Sequence, residues 1–295
     1  MTRGFLRSKF VYDYLRDPSA LVGSLILVLF ALGALFAPLI SPQNPYDLKK
    51  VSLEHFLQPP IWMEGGQAPY LLGTDDQGRD ILSTILYGCR TSLTVAFGVV
   101  IIAGTFGVAM GLVAGYYGGR LDALIMRLAD TFFSFSTTLI AFLLLGVFKE
   151  KGVGVVIMAI CVADWVRYAR TMRGSVLEVK EEAYIMAARS TGAGDLRILL
   201  RHLLPNAIPP VFVVMAVDLA VVIMIEATLS FLGVGVPLTE PSLGMMISIG
   251  KDYVYAGMWW MVVFPGAALI LLVVGINLFA DWLREELNPK IERQG

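Results

Sequence analysis

Four carboxylates, Asp130, Asp164, Asp218 and Glu226, fall inside or beside long apolar stretches of a 295-residue chain. In hydrocarbon a carboxylate costs roughly 2.5 kcal/mol or more by insertion scales unless it is paired or meets water. Each is therefore a lock within a helix bundle or part of a polar path. Asp130 follows Arg127 by one helical turn and Asp164 stands close to Arg167, so local ion pairs account for both. Asp218 stays open between pairing and pathway. Glu226 precedes "ATLSFLG" in the middle of an apolar run and has no cation within a turn. It is the candidate for a translocation-pathway residue or an interhelical lock.

Other chemistries are excluded by what is missing. Only Cys89, Cys161, His55 and His202 are present, widely spaced, so neither a disulfide framework nor a Cys/His metal site is legible. Both cysteines read as small core residues. No G-x-x-x-x-G-K-[ST] loop occurs, so the chain does not cradle ATP phosphates itself, and no cofactor is expected. H-E-x-x-H is absent, as is a G-x-S-x-G following a strand, and no catalytic residue is assigned. Any energy source must come from a partner, and nothing suggests nucleic acid.

The elements that hold these residues are membrane helices. Hydrophobic residues make up 57% of the chain and charged residues 16%, with a mean hydropathy of +0.71. That places it outside the ordinary globular range. Six apolar runs of spanning length, near 19–40, 90–116, 122–148, 153–170, 207–235 and 259–281, are continuous, where barrel strands would alternate. The first follows a leader of mixed charge without a cleavage pattern and reads as a retained span rather than a signal peptide. Most of the 23 Lys and Arg residues fall on one side if the N-terminus is cytoplasmic. The other side keeps Lys49, Lys50, Arg79, Arg90, Lys149, Lys151 and Lys251. Both termini are therefore expected inside, with residues 1–18 as a cytoplasmic segment, 19–281 as the membrane domain and 282–295 as a cytoplasmic tail.

The external segment 41–89 is rich in Pro and Gly and reads as an ordered connecting loop, in preference to a docking surface. Within it Thr74 and Asp75 are expected to cap a short helix starting near Asp76, with Ile81, Leu82 and Ile85 against the membrane surface. Gly107, Gly111 and Gly115 form a small-residue stripe suited to close helix crossing. Trp62, Trp165, Trp259, Trp260 and Trp282 mostly fall near span ends, as an interfacial belt predicts.

The largest cytoplasmic loop, about 171–206, carries "AARSTGAGDLRILLRHLLPN" over 187–206. Ala183, Ala187 and Ser190 share one helical face, nearly without bulk, with Ala188 and Thr191 beside it. Gly192 and Gly194 permit a break. Leu196, Leu199, Leu200 and Leu203 then recur at helical spacing opposite Arg197 and Arg201, and Pro205, Pro209 and Pro210 mark the turn into the fifth span. A small face admits a close partner, and the arginines suit carboxylates on it. A plain hairpin between spans satisfies the same pattern, and the residues alone leave both readings open.

The stretch "EEAYIMAARSTGAGDLRILLRHLLPN" resembles the EAA loop of ATP-binding-cassette importer permeases, especially those of the dipeptide, oligopeptide and nickel permease family. Ala187, Ala188, Gly192, Leu204 and Pro205 stand at matching positions. "LGTDDQGRD" (72–80), "AGYYGGRLDALIMRLAD" (114–130), "EATLSFLGVG" (226–235) and "FPGAALILLVVGINLFADWLRE" (264–285) resemble family segments in family order. The resemblance implies an all-α membrane protein of the type I importer permease kind, with six transmembrane helices and a cytoplasmic coupling helix. It also implies a multi-pass bacterial inner (plasma) membrane protein working with a second permease subunit, two cytoplasmic ATPase subunits and a periplasmic or lipid-anchored solute-binding protein. In that family the EAA loop docks into a cleft of the ATPase and transmits its closure. The family glutamate before the alanine pair is Met186 here, so no ionic role passes to that position; Glu182, one turn earlier, is the substitute. The implied solute is a di- or oligopeptide, with nickel or another small solute as the alternative. Outside the resemblance, an ion-driven secondary transporter or a membrane scaffold or receptor for a cytoplasmic protein remains. The former would more often show paired mid-membrane carboxylates and interrupted helices in related halves.

Overall fold

The computed structural model describes residues 12, 14–46, 55–148, 151–237 and 239–287. Of the basic residues that set the expected orientation, Arg3, Arg7, Lys9, Lys290 and Arg293 on the inner side and Lys49, Lys50 and Lys149 on the outer lie outside the described residues. The elements are α1 (Pro18–Leu35), α2 (Ala37–Ile40), α3 (Ile81–Tyr117), α4 (Gly119–Phe133), α5 (Thr137–Val147), α6 (Val153–Val179), α7 (Ala183–Ser190), α8 (Pro209–Phe231), α9 (Leu243–Gly250) and α10 (Trp260–Glu286). Extended pairing among the described residues is limited to an isolated bridge between Thr74 and Asp80.

Four helices, α1, α3, α8 and α10, are long and apolar enough to cross a membrane. The run expected as one span over 122–148 is instead two helices, α4 and α5, bent by 81°. The break has a local cause: Ser136 is extended (φ −65°, ψ 130°) and starts α5, while α4 carries Arg120, Asp122, Arg127 and Asp130. Those charges are better accommodated outside hydrocarbon than within it. Helix α6 is 27 residues long, but from Asp164 onward it carries Asp164, Arg167, Arg170 and Arg173, and it runs on past the expected end at 170.

Helix starts follow capping chemistry. The Asp17 carboxylate accepts from Ser19 N at 2.8 Å and Ala20 N at 3.3 Å, with Pro18 in the first turn of α1. Asp80 caps α3, accepting from Ser83 N at 2.8 Å and from the Ser83 hydroxyl at 2.6 Å. The cap therefore falls at Asp80, not at Thr74 or Asp75. Ile81 and Ile85 are buried in the bundle as the first turns of a 37-residue helix, not laid on a membrane surface.

Close crossing holds α3 to α6. A methyl added at Gly107 would run into the Trp165 carbonyl, one at Gly111 into the Ala169 carbonyl, and one at Gly115 would lie 2.8 Å from Val176 Cβ. The stripe is a backbone contact surface, as small-xxx-small spacing predicts. Gly23 and Gly275 do the same for α1 against α10, where a methyl on Gly23 would lie 2.8 Å from Leu278 Cβ. Trp165, Trp260 and Trp282 are buried within the bundle; Trp165 packs edge-on against Phe106 at 5.3 Å between ring centroids. Trp62 and Trp259 are exposed, and both cysteines are buried.

Candidate coupling elbow and buried polar locks

The elbow is a short helix with a defined stop. Gly192 takes φ +82°, donates its N–H to Arg189 O at 3.0 Å, and is followed by Ala193 N donating to Ala188 O at 3.1 Å. This pair of bonds is the Schellman termination, whose left-handed position favours glycine because it lacks Cβ. Gly194 is in an ordinary extended conformation (φ −66°, ψ 152°) and does not use that freedom.

Ile185 is the anchor of α7, fully buried, while Glu182, Ala183, Met186, Ala187 and Ser190 are exposed and Ala188 is half-buried. The small face is thus open, but Tyr184 and Met186, also exposed, flank it with bulk. The Met186 side chain is exposed, and Glu182 precedes the helix without a side-chain cap bond.

Beyond the break the expected α-helical leucine face is not formed. Residues Ile198–Leu203 are π-helical, and the buried side chains are Ile198, Leu199, Leu203 and Ala207; Leu196 and Leu200 are 69% and 54% exposed. An i→i+5 ladder rotates successive residues differently from an α-helix, so Ile198 joins Leu203 on the inner face at i+5 spacing while Leu196 and Leu200 turn outward; Leu199 and Leu203 keep half of the expected face. Arg197 and Arg201 are exposed as expected, Leu204 is half-buried and Pro205 exposed in the last turn before α8.

The elbow is tied to the bundle by polar contacts. The Tyr116 hydroxyl, at the end of α3, donates to Asp195 at 2.6 Å, and the Arg189 guanidinium lies 5.1 Å from the Tyr116 ring centroid. Lys180 donates to the Gly115 carbonyl at 3.2 Å. Arg173 of α6 grips Asp122 of α4 through two bonds, at 2.5 and 2.6 Å. Bidentate pairing of this kind fixes orientation as well as distance. Short, directional links thus tie the segments on either side of α7 to α3, and α4 to α6.

The four membrane carboxylates separate into locks. Asp130 pairs with Arg170 at 2.6 Å, not with Arg127; helix α4 turns it toward α6, and Arg170 also lies 4.0 Å over the Phe133 ring. Asp164 meets Arg167 at 3.7 Å, but that arginine's short bond, 2.6 Å, goes to Asp218 on α8. The Tyr168 hydroxyl donates to Asp218 at 2.5 Å. Asp218 and Asp164 are both fully buried, and neither Asp164 oxygen has a hydrogen-bond partner among the described residues. Glu226 is also fully buried, accepting from Ser92 of α3 and from Ser230, each at 2.7 Å. It joins α3 to α8 across the core through these bonds.

A cavity of about 300 Å³ opens at the α4–α5 bend, lined by Phe132, Phe135, Ser136, Thr137 and Arg167 among others. A second of about 530 Å³ lies at the opposite end of the bundle from the elbow. There the "TDDQGRD" turn is ordered by its own side chains: Asp75 accepts from Gln77 N and Arg79 N, each at 2.9 Å, and from Arg79 Nε at 2.7 Å. The Thr74 hydroxyl donates to His55 O at 2.6 Å. Burial, opposed by the Ser83 bonds, raises the Asp80 carboxyl above its ordinary value, and burial beside Asp75 raises that of Asp76.

The comparisons agree with this architecture. Residues 107–293 match the family described as binding-protein-dependent transport system inner membrane component, and residues 7–60 match the N-terminal transmembrane domain of oligopeptide transport permease C. The dipeptide transport system permease protein DppC of Haemophilus influenzae is 36% identical over 97% of this chain and 95% of its own length. A di/tripeptide transport system permease protein DppC of Pseudomonas aeruginosa is 36% identical over 96% of this chain and 92% of its own. Among solved structures, a chain of the inward-facing MetNI methionine ABC transporter superposes with a TM-score of 0.53 at 21% identity, covering 70% of this chain and 96% of that one. The fold is that of an ABC importer permease, and the chain belongs to the family of binding-protein-dependent transport system inner membrane components.

Proposed function

We propose that this permease subunit passes short peptides across the inner membrane, driven by ATPase subunits that grip α7 from the cytoplasm. The peptide assignment rests on relatives matched over nearly their whole length, whose names specify dipeptide or di/tripeptide transport. The coupling assignment rests on one observation: α7 presents Ala183, Ala187 and Ser190 outward while Ile185, Lys180 and Tyr116 fix its inner side to the bundle. Glu182, Ala183, Ala187 and Ala188 form the contact, Gly192 ends it, and Leu204 and Pro205 return the chain to α8.

In this reading both termini and the elbow are cytoplasmic, residues 19–281 form the permease domain, and the 41–89 loop faces outward toward a solute-binding protein. A second permease subunit completes the pathway, because exposed apolar side chains such as Phe133, Phe135, Leu139, Leu143 and Met224 need cover from lipid or protein. ATP binding and hydrolysis belong to the partner subunits. The cycle alternates outward and inward exposure, and differential contact of the ATPases with the elbow supplies the bias, since a partner binding both states equally shifts nothing.

The test is dipeptide uptake by the importer reconstituted in proteoliposomes. Uptake is expected to require ATP and the binding protein and to persist when ion gradients are dissipated. Uptake driven by an ion gradient without ATP, or no peptide uptake by an intact complex, would overturn the reading.

A further inference from the structure

The turn that opens α3 uses nearly every polar side chain it has. Thr74 is bonded to His55, Asp75 to Arg79, and Asp80 to Ser83. Two carboxylate oxygens there, Asp76 Oδ1 and Asp80 Oδ1, are buried with no hydrogen-bond partner among the described residues, and Asp80 already caps α3 through its other oxygen. A buried acceptor left unmatched is costly, so such a group calls for an explanation. Asp76 lines the cavity of about 530 Å³, within the roughly 300–1,000 Å³ of small-ligand sites.

The rest of that cavity is balanced in charge. Lys151, Lys251 and Asp252 line it with Asp76, giving two cations and two carboxylates, and Tyr253 adds a hydroxyl. Neither lysine is committed to a described carboxylate: Lys151 donates to the Gly233 carbonyl at 3.1 Å, and Lys251 sits 4.8 Å over the Phe231 ring. Met245 and Ile249 supply apolar wall. A cavity holding an unmatched carboxylate and a separate cation, with little net charge and an apolar side, suits a small zwitterion.

We infer that this cavity is a binding site for a short peptide, with Asp76 receiving the α-ammonium and Lys251 the carboxylate. This rests on the peptide reading given above. An incoming ammonium supplies the donor that Asp76 Oδ1 lacks and favours the ionised carboxyl that burial disfavours. The site lies at the end of the bundle where α3 and α6 begin and α8 ends, away from the elbow. It would receive solute before the pathway does.

The experiment uses the complete importer in nanodiscs without its binding protein, with radiolabelled alanyl-alanine as the probe. Saturable binding is expected to be competed by unlabelled alanyl-alanine and not by N-acetyl-alanyl-alanine. Asp76→Asn should weaken binding roughly tenfold or more, with an unchanged thermal midpoint. Lys251→Met should weaken binding of the free acid and leave that of the C-terminal amide unchanged. Absence of saturable binding, equal competition by the acetylated peptide, or unaltered affinity in Asp76→Asn would overturn the site. The acetyl competition on the unmodified protein keeps the test decisive even if Asp76→Asn misfolds. ATP-dependent dipeptide uptake by the same complex in proteoliposomes, with its binding protein added, separates the two inferences: uptake without cavity binding removes only the site, whereas loss of uptake removes the peptide reading and the site with it.

Discussion

At the residue scale, the membrane carboxylates work by holding helices together. Glu226 accepts hydroxyl bonds from Ser92, 134 positions earlier, and from Ser230, one turn later. Glu226→Leu leaves both buried hydroxyls without that acceptor and should cost about 1–3 kcal/mol. Glu226→Gln keeps a carbonyl oxygen for one of them and should cost less. The thermal midpoints of the purified complexes check this ordering, and a Leu variant as stable as the wild type would remove the lock. That Glu226 was special was legible from its isolation in an apolar run. Its partners were not, because spacing along one helix reports only neighbours three and four residues away. The same limit explains Asp130, whose cation is Arg170 rather than Arg127. Asp76 was invisible for a different reason: six polar residues in the seven positions 74–80 look alike until their bonds are assigned.

At the element scale, two glycines carry opposite duties. Gly111 lets α3 touch the α6 backbone, so Gly111→Leu must push the helices apart and should abolish stable assembly, seen as loss of a monodisperse peak in size-exclusion chromatography. At Gly192 a methyl meets nothing within 4 Å, but φ is +82°. Gly192→Ala should therefore cost about 1–2 kcal/mol locally, from backbone strain alone. Hydrogen exchange should show faster amide exchange in α7 with the membrane helices unchanged; unchanged exchange in α7 would contradict the Schellman role. Four spanning helices, the glycine stripe and the glycine stop were readable because period, length and φ preference are local properties. The 81° bend between α4 and α5 and the π-helical return at Ile198–Leu203 were not. Ser136 marks where the chain can turn, but the direction of α4 comes with the Arg170 and Arg173 pairs that hold it across α6, and the return at Ile198–Leu203 buries Ile198, Leu199 and Leu203 against the bundle, contacts that no local pattern reports.

At the scale of the whole molecule, α6 is the lever. It begins beside the cavity at the far end of the bundle from the elbow, crosses α3 through Gly107, Gly111 and Gly115, pairs with Asp218 through Arg167, and leads into α7. A displacement of α7 would therefore move α6 against α3 and α8, the packed surfaces that must rearrange in an alternating-access cycle. Packed interfaces of this density move as units rather than deforming continuously. The claim on which all this depends is that α7 is held by an ATPase. Ala187 is exposed, so Ala187→Arg should leave the fold intact, as surface substitutions usually do within about 0.5 kcal/mol. Its bulk and charge would still block a partner seated on the small face. The decisive measurement is co-purification from membranes of the wild-type chain and the Ala187→Arg variant, with the bound proteins identified by mass spectrometry. An ATPase subunit retained by the wild type and lost from a well-folded variant is the predicted result; equal retention by both, or no ATPase with a well-folded wild type, would contradict the account.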